Sequence, residues 1–334
     1  MWRAGQLQPE PAPGLGLEST VPVIVSASYR TDIPAFYAAW FLARLKAGYC
    51  RVGNPYGGGT HRVSLAPGDV DGFVFWTRNM RPLLGDLDGV REVAPFTVQF
   101  TLTGYPRALE SSVIGAEEGV TQLRELRRRF GQRVAVWRYD PIVFGAGLDA
   151  AAHAANFAGL AQQLGGTVDE VALSVVHPYR KTRRNLDRAA QRHGFLWHDP
   201  SVEEKRELLA QLVAIAAEHG IAPALCSQPV LLVPGLGESR CIDAERLADV
   251  AQCPIAARQS GNRPGCRCAL SRDIGAYDTC PHGCVYCYAV ADRDRAVGNF
   301  RAHDPAADSP LAEGSRTALA REDEPRPRQA TDSL

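Results

Sequence analysis

The sequence has no excess of charge of either sign, because 37 Lys and Arg residues balance 37 Asp and Glu residues over 334 positions. Proteins dedicated to binding the nucleic-acid backbone carry a basic excess, so this balance disfavours that class. The sequence also lacks an uninterrupted apolar run of about 18 residues, the length that a membrane-spanning helix requires. Residues 1–18 contain no apolar core of signal-peptide length. We therefore expect a cytoplasmic protein that does not enter a membrane.

Cysteine, by contrast, is abundant and unevenly placed. The chain has nine cysteines, and eight of them lie in its C-terminal third, between Cys226 and Cys287. Because the cytoplasm keeps thiols reduced, such cysteines indicate metal ligation or reactivity and disfavour disulfides. The overall composition, 45% hydrophobic and 22% charged, is typical of a globular protein.

The composition changes at both ends of the chain. Residues 1–20 are rich in Pro and Gly and predict a flexible arm, whereas the polar, Pro-rich residues 291–334 predict a largely disordered tail. Residues 21–290 predict one folded domain, which a chain of this length is long enough to form around a single core. This domain includes a cysteine-rich loop at 266–290.

Short apolar runs alternate with helical patterns through this domain. The runs predict six strands, at 21–27, 72–76, 96–102, 134–139, 170–176 and 222–226. Helical spacing predicts helices at 34–47, 119–130, 150–164 and 202–219. The alternation predicts an α/β fold with parallel strands and right-handed crossovers. We expect a (βα) barrel or partial barrel, with an open doubly wound sheet as the alternative.

Polar side chains follow the predicted strands, where parallel α/β folds gather their functional groups. We expect a ligand site around one mouth of the barrel, with the catalytic candidates Arg30, Asp32, Arg138, Asp140 and His177. Gln99 and Thr101, on the third predicted strand, are candidates for cofactor binding. Structural alternatives stay open, because Asp32 is also suited to capping the next helix and Arg138 to an ion pair with Asp140.

The most specific motif is Cys280-Pro-His-Gly-Cys284-Val-Tyr-Cys287, which has the spacing CxxxCxxC. Three thiolates on one short loop suffice to ligate three irons of a cubane cluster and leave the fourth iron open. Soft thiolate ligands also suit zinc. Zinc would need His282 or a distant cysteine as its fourth ligand, since structural zinc sites use four.

With Tyr286 directly before the third cysteine, this loop resembles the cluster motif of the radical S-adenosylmethionine superfamily. The resemblance implies a [4Fe–4S] cluster on Cys280, Cys284 and Cys287, S-adenosylmethionine on the open iron with Tyr286 nearby, and a 5′-deoxyadenosyl radical that takes hydrogen from a substrate. It also implies a reductant such as flavodoxin or ferredoxin. In most of the superfamily the motif follows the first barrel strand, so its position near the C-terminus here implies a circularly permuted barrel.

From about residue 22 to residue 311 the chain also resembles an uncharacterised family, a domain of unknown function that has this cysteine cluster at its C-terminus. The stretches that carry the resemblance are Ser26–Pro34, Gly48–Pro55, Val74–Arg78, Gln99–Pro106, Trp137–Pro141 and Asp273–Cys280. This resemblance identifies no substrate.

A second set of cysteines comprises Cys226, Cys241, Cys266 and Cys268. Cys266 and Cys268 form a CxC pair shortly before the CxxxCxxC loop, and Cys226 ends the sixth predicted strand. Four thiolates are sufficient for an auxiliary iron–sulfur cluster. Ordinary buried or surface cysteines are the alternative.

Three functional hypotheses follow. The leading one is a radical S-adenosylmethionine enzyme with an unidentified substrate. The second is a non-catalytic iron–sulfur or zinc protein that binds a nucleic acid or a protein partner. The third is a nucleic-acid repair or modification enzyme, because the CxxxCxxC loop also resembles that of spore photoproduct lyases. In that case the basic residues Arg180–Arg184 would contact phosphate.

Overall fold

The computed structural model of the protein describes residues 22–54, 59–261 and 265–311. The predicted arm at 1–20 and the tail from residue 312 onward lie outside these ranges. The strands within them are β1 (Val23–Ala27), β2 (Tyr49–Gly53), β3 (Thr60–Ser64), β4 (Val70–Thr77), β5 (Phe96–Thr101), β6 (Ala135–Ile142), β7 (Glu170–Val175), β8 (Ala222–Leu225), β9 (Gly237–Glu238) and β10 (Ser271–Asp273).

Eight of these strands form one sheet in the order β10-β1-β4-β5-β6-β7-β8-β9. Each neighbouring pair in the sheet is parallel. The predicted α/β fold with parallel strands is therefore confirmed. Because β10 and β9 form its two edges, the sheet is consistent with a partial barrel. The remaining two strands, β2 and β3, pair with each other as an antiparallel hairpin that the sequence patterns did not predict.

The described helices are α1 (Ile33–Phe36), α2 (Ala38–Ala47), α3 (Arg81–Leu84), α4 (Leu87–Val93), α5 (Ala116–Phe130), α6 (Ala150–Leu164), α7 (Arg180–His193), α8 (Val202–Glu218), α9 (Ala244–Ala251) and α10 (Arg293–Ala302). A capping box between Ser201 and Glu204 starts α8. The helix predicted at 34–47 is in fact two helices that meet at Tyr37, and the second ends at Gly48 with a φ of 74°. None of the helices in the described ranges has the length and apolarity to cross a membrane.

The two faces of the sheet carry different apolar clusters, because successive side chains of a strand point to opposite faces. Val25 and Phe75 belong to the main core. Their strand neighbours Ile24 and Val74 belong to a smaller cluster on the other face. Three cysteines of the second set, Cys226, Cys241 and Cys268, are also members of this smaller cluster.

Helix α9 packs near the amino ends of the strands. Leu247 lies so close to Gly72 of β4 that a Cβ atom there would come within 2.8 Å of its side chain. Arg246 is 1% exposed, and its guanidinium lies 2.9 Å from Asp169 and 2.7 Å from Glu170, at the start of β7. The helix thus covers one end of the sheet, and the opposite, carboxyl end is where the polar strand-end residues lie.

The prediction of a disordered tail from residue 291 is wrong for the residues that form α10. The helix is capped by the Asp292 side chain, which accepts a hydrogen bond from Arg295 N. Phe300 packs against the rings of Phe36 and Tyr37, with centroids 5.5 and 5.6 Å away. Aromatic packing against the domain thus orders a segment whose composition alone is typical of disorder.

Candidate functional site

The CxxxCxxC loop lies at the carboxyl end of the sheet, beside the segment that follows β5. Glu110 and Cys284 form an isolated antiparallel bridge. Next to it, Val285 N donates a hydrogen bond to Leu109 O at 3.0 Å. The backbone of the loop is therefore held at the end of the sheet where parallel α/β folds place their functional groups.

Asp32 joins three segments at this end of the sheet. Its Oδ1 accepts hydrogen bonds from Ala35 N at 3.0 Å and Thr77 Oγ1 at 2.7 Å. Its Oδ2 accepts from Arg78 N and from His282 Nε2, both at 2.8 Å. Asp32 therefore caps α1, which was the alternative to a catalytic role predicted from the sequence. It also holds His282 of the cysteine loop against the end of β4. With four hydrogen bonds and 7% exposure, the carboxylate acts as a positioning group.

A second buried network fixes the third cysteine's neighbour, Tyr286. The Tyr286 hydroxyl donates to Glu110 Oε1, and Arg78 reaches both residues, with Nη2 2.5 Å from the Tyr286 oxygen and Nη1 2.8 Å from Glu110. Thr103 Oγ1 donates to the same carboxylate at 2.6 Å. Sequence reasoning missed Arg78 and Glu110, although Arg78 lies in a stretch that carries the family resemblance. Glu110 stands in a loop with no motif to single it out.

Asp273, at the end of β10, is another residue that sequence reasoning missed. Its carboxylate accepts hydrogen bonds from Ser26 Oγ at 2.9 Å and Ser28 Oγ at 2.7 Å. It also accepts from Tyr29 N at 3.0 Å and from Arg30 Nε at 2.9 Å. Arg30, a catalytic candidate from the sequence, is thus held in a buried ion pair that links β1 to β10.

Arg138 is buried on the inner face of the sheet, by which we mean the face that carries the smaller apolar cluster, and it is held by several partners. Its guanidinium donates to Asp140, to Gln99 Oε1 at 3.0 Å and to Cys241 Sγ at 3.0 Å. The guanidinium carbon lies 4.9 Å from the centre of the Trp76 ring. Trp76 Nε1 is buried and donates to no acceptor within the part of the chain that the structure describes. The ion pair with Asp140 agrees with the alternative prediction from the sequence, in which these two residues have a structural role and not a catalytic one.

Thr101 and His177 take no part in these networks. Thr101 lines a cavity of about 190 Å³ together with Arg78 and Glu110, which places it next to the loop. His177 is exposed, and its ring lies edge-on to that of Tyr179 with the centroids 4.4 Å apart. Of the sequence candidates, Thr101 therefore lies by the cysteine loop and His177 lies on the surface.

Cys280, Cys284 and Cys287 are each half-buried. Burial raises the pKa of all three thiols, and that of Cys284 reaches about 12 although the Arg78 guanidinium lowers it in part. The Asp32 carboxylate raises the pKa of Cys280 further, and the thiols of Cys287 and Cys284 also raise it. The metal-free thiols are therefore protonated at neutral pH, and a bound metal would have to displace their protons.

The donors of this loop fit a group that takes three thiolates. His282 is already committed, because its Nε2 is bonded to Asp32 and its Nδ1 faces Ser112 O at 3.4 Å. In the described ranges, no group of three or more His, Cys, Asp or Glu side chains is arranged to hold a metal ion as it stands. The thiols would therefore have to reorient on binding. Three sulfur donors without a histidine match a cubane with one open iron better than a four-ligand zinc site.

Replacing Gly283 by alanine should distort this loop. Gly283 has a φ of 74°, and an added Cβ would lie 2.2 Å from Ser111 Oγ and 2.6 Å from Arg293 Nε. Left-handed backbone costs a non-glycine residue about 1–2 kcal/mol, and the clash adds to that. We expect a lower free energy of unfolding in denaturant titrations and less iron per chain after reconstitution. The matched control is Gly298→Ala, in α10 with open space around it, which should be neutral or stabilising by about 0.5–1 kcal/mol. Equal behaviour of the two variants would contradict the role of Gly283.

The model of a protein family described as Domain of unknown function (DUF1848) matches residues 24–289 of the chain. The match includes the whole CxxxCxxC loop and all of the hydrogen-bond networks described above. No curated protein matches the chain.

Proposed function

We propose that this chain, which belongs to the family described as Domain of unknown function (DUF1848), is a radical S-adenosylmethionine enzyme acting on an unidentified substrate. Cys280, Cys284 and Cys287 would hold a [4Fe–4S] cluster. The observation that carries the proposal is a loop with three half-buried thiols at the carboxyl end of a parallel sheet, whose histidine is committed to Asp32. Such a loop supplies three ligands and leaves one position free for S-adenosylmethionine.

When bound, the cluster supplies the electron that cleaves S-adenosylmethionine to methionine and a 5′-deoxyadenosyl radical. The chain's own residues prepare and hold the site. Asp32 and the pair of Arg78 and Glu110 fix the loop on both sides. Burial raises the pKa of Cys287, and the backbone N–H groups of Ala289 and Val290 and the positive charges of Lys181 and Arg78 offset part of that rise. Tyr286, whose hydroxyl is bonded to Glu110 and Arg78, would support the loop more than it would touch the cofactor.

The inner face of the sheet supplies the groups that would bind S-adenosylmethionine and the substrate. Trp76 Nε1 is a buried donor that a ligand acceptor would satisfy. Gln99 and Arg138 lie on the same face, and Thr101 lines the cavity beside Arg78. If the order of the barrel strands along the chain is circularly permuted, a cluster loop near the C-terminus would still lie at this mouth. The proposal therefore includes a circular permutation.

The proposal also implies a setting and a partner. Reduced thiols and an oxygen-sensitive cluster suit the cytoplasm, and the electron would come from a reductant such as flavodoxin or ferredoxin.

A nucleic-acid substrate is a second candidate, supported by a basic groove beside the cysteine loop. The groove has a volume of about 390 Å³ and is lined by Arg180, Arg183, Arg184, Asp187, Arg188 and Gln191 of α7. Lys181 of the same helix lies 5.4 Å from the ring centre of Tyr277, three residues before Cys280. Arginines placed in this way suit phosphate contacts. Stimulation of S-adenosylmethionine cleavage by a DNA or RNA oligonucleotide would favour this substrate class.

The test is anaerobic reconstitution with iron and sulfide, followed by dithionite and S-adenosylmethionine. We expect 5′-deoxyadenosine to accumulate slowly even without substrate, as measured by liquid chromatography and mass spectrometry. Protein without added reductant is the control and should give none. A protein that holds iron and sulfide but never yields 5′-deoxyadenosine with any reductant would favour the non-catalytic hypothesis.

A further inference from the structure

The second set of cysteines forms one cluster of sulfur atoms built from separate segments. Cys226 directly follows β8, Cys241 follows β9, and Cys266 and Cys268 precede β10. The sulfur atoms of Cys226 and Cys241 are 3.5 Å apart. Cys268 belongs to the same cluster of buried side chains as these two cysteines, and Cys266 packs against that cluster. Four thiols from three separate segments of the chain therefore pack together inside the fold.

The surroundings of this cluster are apolar. Cys226, Cys241 and Cys268 are buried, and Cys266 is half-buried. The side chains packed with them include Ile24, Val74, Ile242, Leu247 and Ala269. Structural metal sites are closed to water in this way, whereas catalytic sites keep an open position.

Two donors are directed at the sulfur atoms. Ile242 N donates to Cys268 Sγ at 3.4 Å, and Arg138 Nη1 donates to Cys241 Sγ at 3.0 Å. Hydrogen bonds of this kind orient metal ligands and stabilise their charged form. The buried guanidinium would also offset part of the negative charge that four thiolates carry.

The spacing of the sulfur atoms indicates the size of the group they suit. A tetrahedral zinc ion with Zn–S bonds of about 2.3 Å has its sulfur ligands about 3.8 Å apart. The observed 3.5 Å between Cys226 and Cys241 is close to this distance. In a cubane each cysteine binds a separate iron, which keeps the thiolates out of contact with one another. The thiols do not form a coordination shell as they stand, so their side chains would have to rotate to bind a single ion.

We propose that Cys226, Cys241, Cys266 and Cys268 bind one Zn²⁺ ion as a structural tetrathiolate site, in place of the auxiliary iron–sulfur cluster expected from the sequence. Binding releases the thiol protons to solvent. The ion connects the ends of β8 and β9 to the segment that enters β10, and so links the two edges of the partial barrel. The site is separate from the CxxxCxxC loop and does not depend on the proposed function.

The experiment measures metal in the full chain, purified with Zn²⁺ present and without iron or sulfide. The variant with Cys280, Cys284 and Cys287 all changed to alanine should retain about one zinc per chain. Cys241→Ser and Cys266→Ser in that background should lose it, while Cys50→Ser, which changes a buried cysteine outside the set, should keep it. Co²⁺ in place of Zn²⁺ should give the intense visible bands of a tetrahedral thiolate site. This spectrum tests the unmutated set of four even if a serine variant fails to fold.

Three results would overturn the proposal. The first is that the triple variant folds but contains no zinc and gives no cobalt spectrum. The second is that the triple variant, when it is reconstituted anaerobically with iron and sulfide instead, holds about four irons per chain, which would mean a cubane. The third is a Cys226–Cys241 disulfide, detected by mass spectrometry after thiol alkylation of freshly purified protein. None of these results bears on the formation of 5′-deoxyadenosine, so the two proposals succeed or fail separately.

Discussion

Replacing Cys284 by alanine is expected to abolish the formation of 5′-deoxyadenosine by the reconstituted protein. The loop has three thiols and a histidine that is committed to Asp32, so no second donor of the loop takes the place of the lost sulfur. Two cysteines do not hold a cubane whose third and fourth irons lack protein ligands. The backbone bridge between Cys284 and Glu110 does not use the side chain, so the fold should persist. Iron content, the cluster absorbance and 5′-deoxyadenosine are the measurements.

Cys253→Ala is the matched control, because Cys253 is exposed and belongs to neither set of cysteines. It should retain the iron content and the activity of the unaltered protein. Thermal unfolding of both variants in the metal-free state should remain close to that of the parent. If Cys284→Ala produced 5′-deoxyadenosine at the parental rate, the assignment of the cluster to this loop would be wrong.

The sheet could be predicted from the sequence because its strands carry strong local signals. Glu170–Val175 and Phe96–Thr101 are apolar, β-branched or aromatic runs bounded by polar residues, and such runs are typical of buried parallel strands. The edge strands β9 and β10 have two and three residues. Segments this short contain no periodicity, and only pairing with β8 and β1 makes them strands.

The site could be predicted only where its residues share a motif. The CxxxCxxC spacing is local, and Asp32 is followed directly by the start of a helix. Both features could therefore be predicted from the sequence. Glu110 and Asp273 gain their importance from partners 176 and 247 residues away, Tyr286 and Ser26. No pattern in a single sequence shows that two residues so far apart along the chain are in contact.

Sequence reasoning also could not distinguish a free polar group from a committed one. Arg30 and Asp32 were expected to be catalytic because they follow a predicted strand. In the structure Arg30 is paired with Asp273, and Asp32 accepts four hydrogen bonds. Both arrangements depend on tertiary contacts, and both favour a positioning role for these residues over direct contact with a substrate.

Replacing Asp32 by alanine is therefore expected to destabilise the protein and to loosen the cysteine loop together. The change leaves Arg78 N, Thr77 Oγ1 and His282 Nε2 buried without their acceptor. A buried donor that is left without its acceptor costs about 1–3 kcal/mol for each group. Denaturant unfolding of the metal-free protein should show a loss of this size. The reconstituted variant should also hold less iron, because His282 no longer anchors the loop to the end of β4.

Two further variants separate this positioning role from a catalytic one. Asp32→Asn keeps one carbonyl oxygen as an acceptor and should fall between the parent and Asp32→Ala in both stability and iron content. Asp304→Ala is the control for loss of a carboxylate, because Asp304 is exposed and its carboxylate accepts a local hydrogen bond from Ala306 N at 2.8 Å. Its effect should stay within about 0.5 kcal/mol. If Asp32→Ala kept the parental stability and iron content but lost 5′-deoxyadenosine formation, Asp32 would act on the bound cofactor or substrate, and the anchoring role argued from its four hydrogen bonds would be wrong.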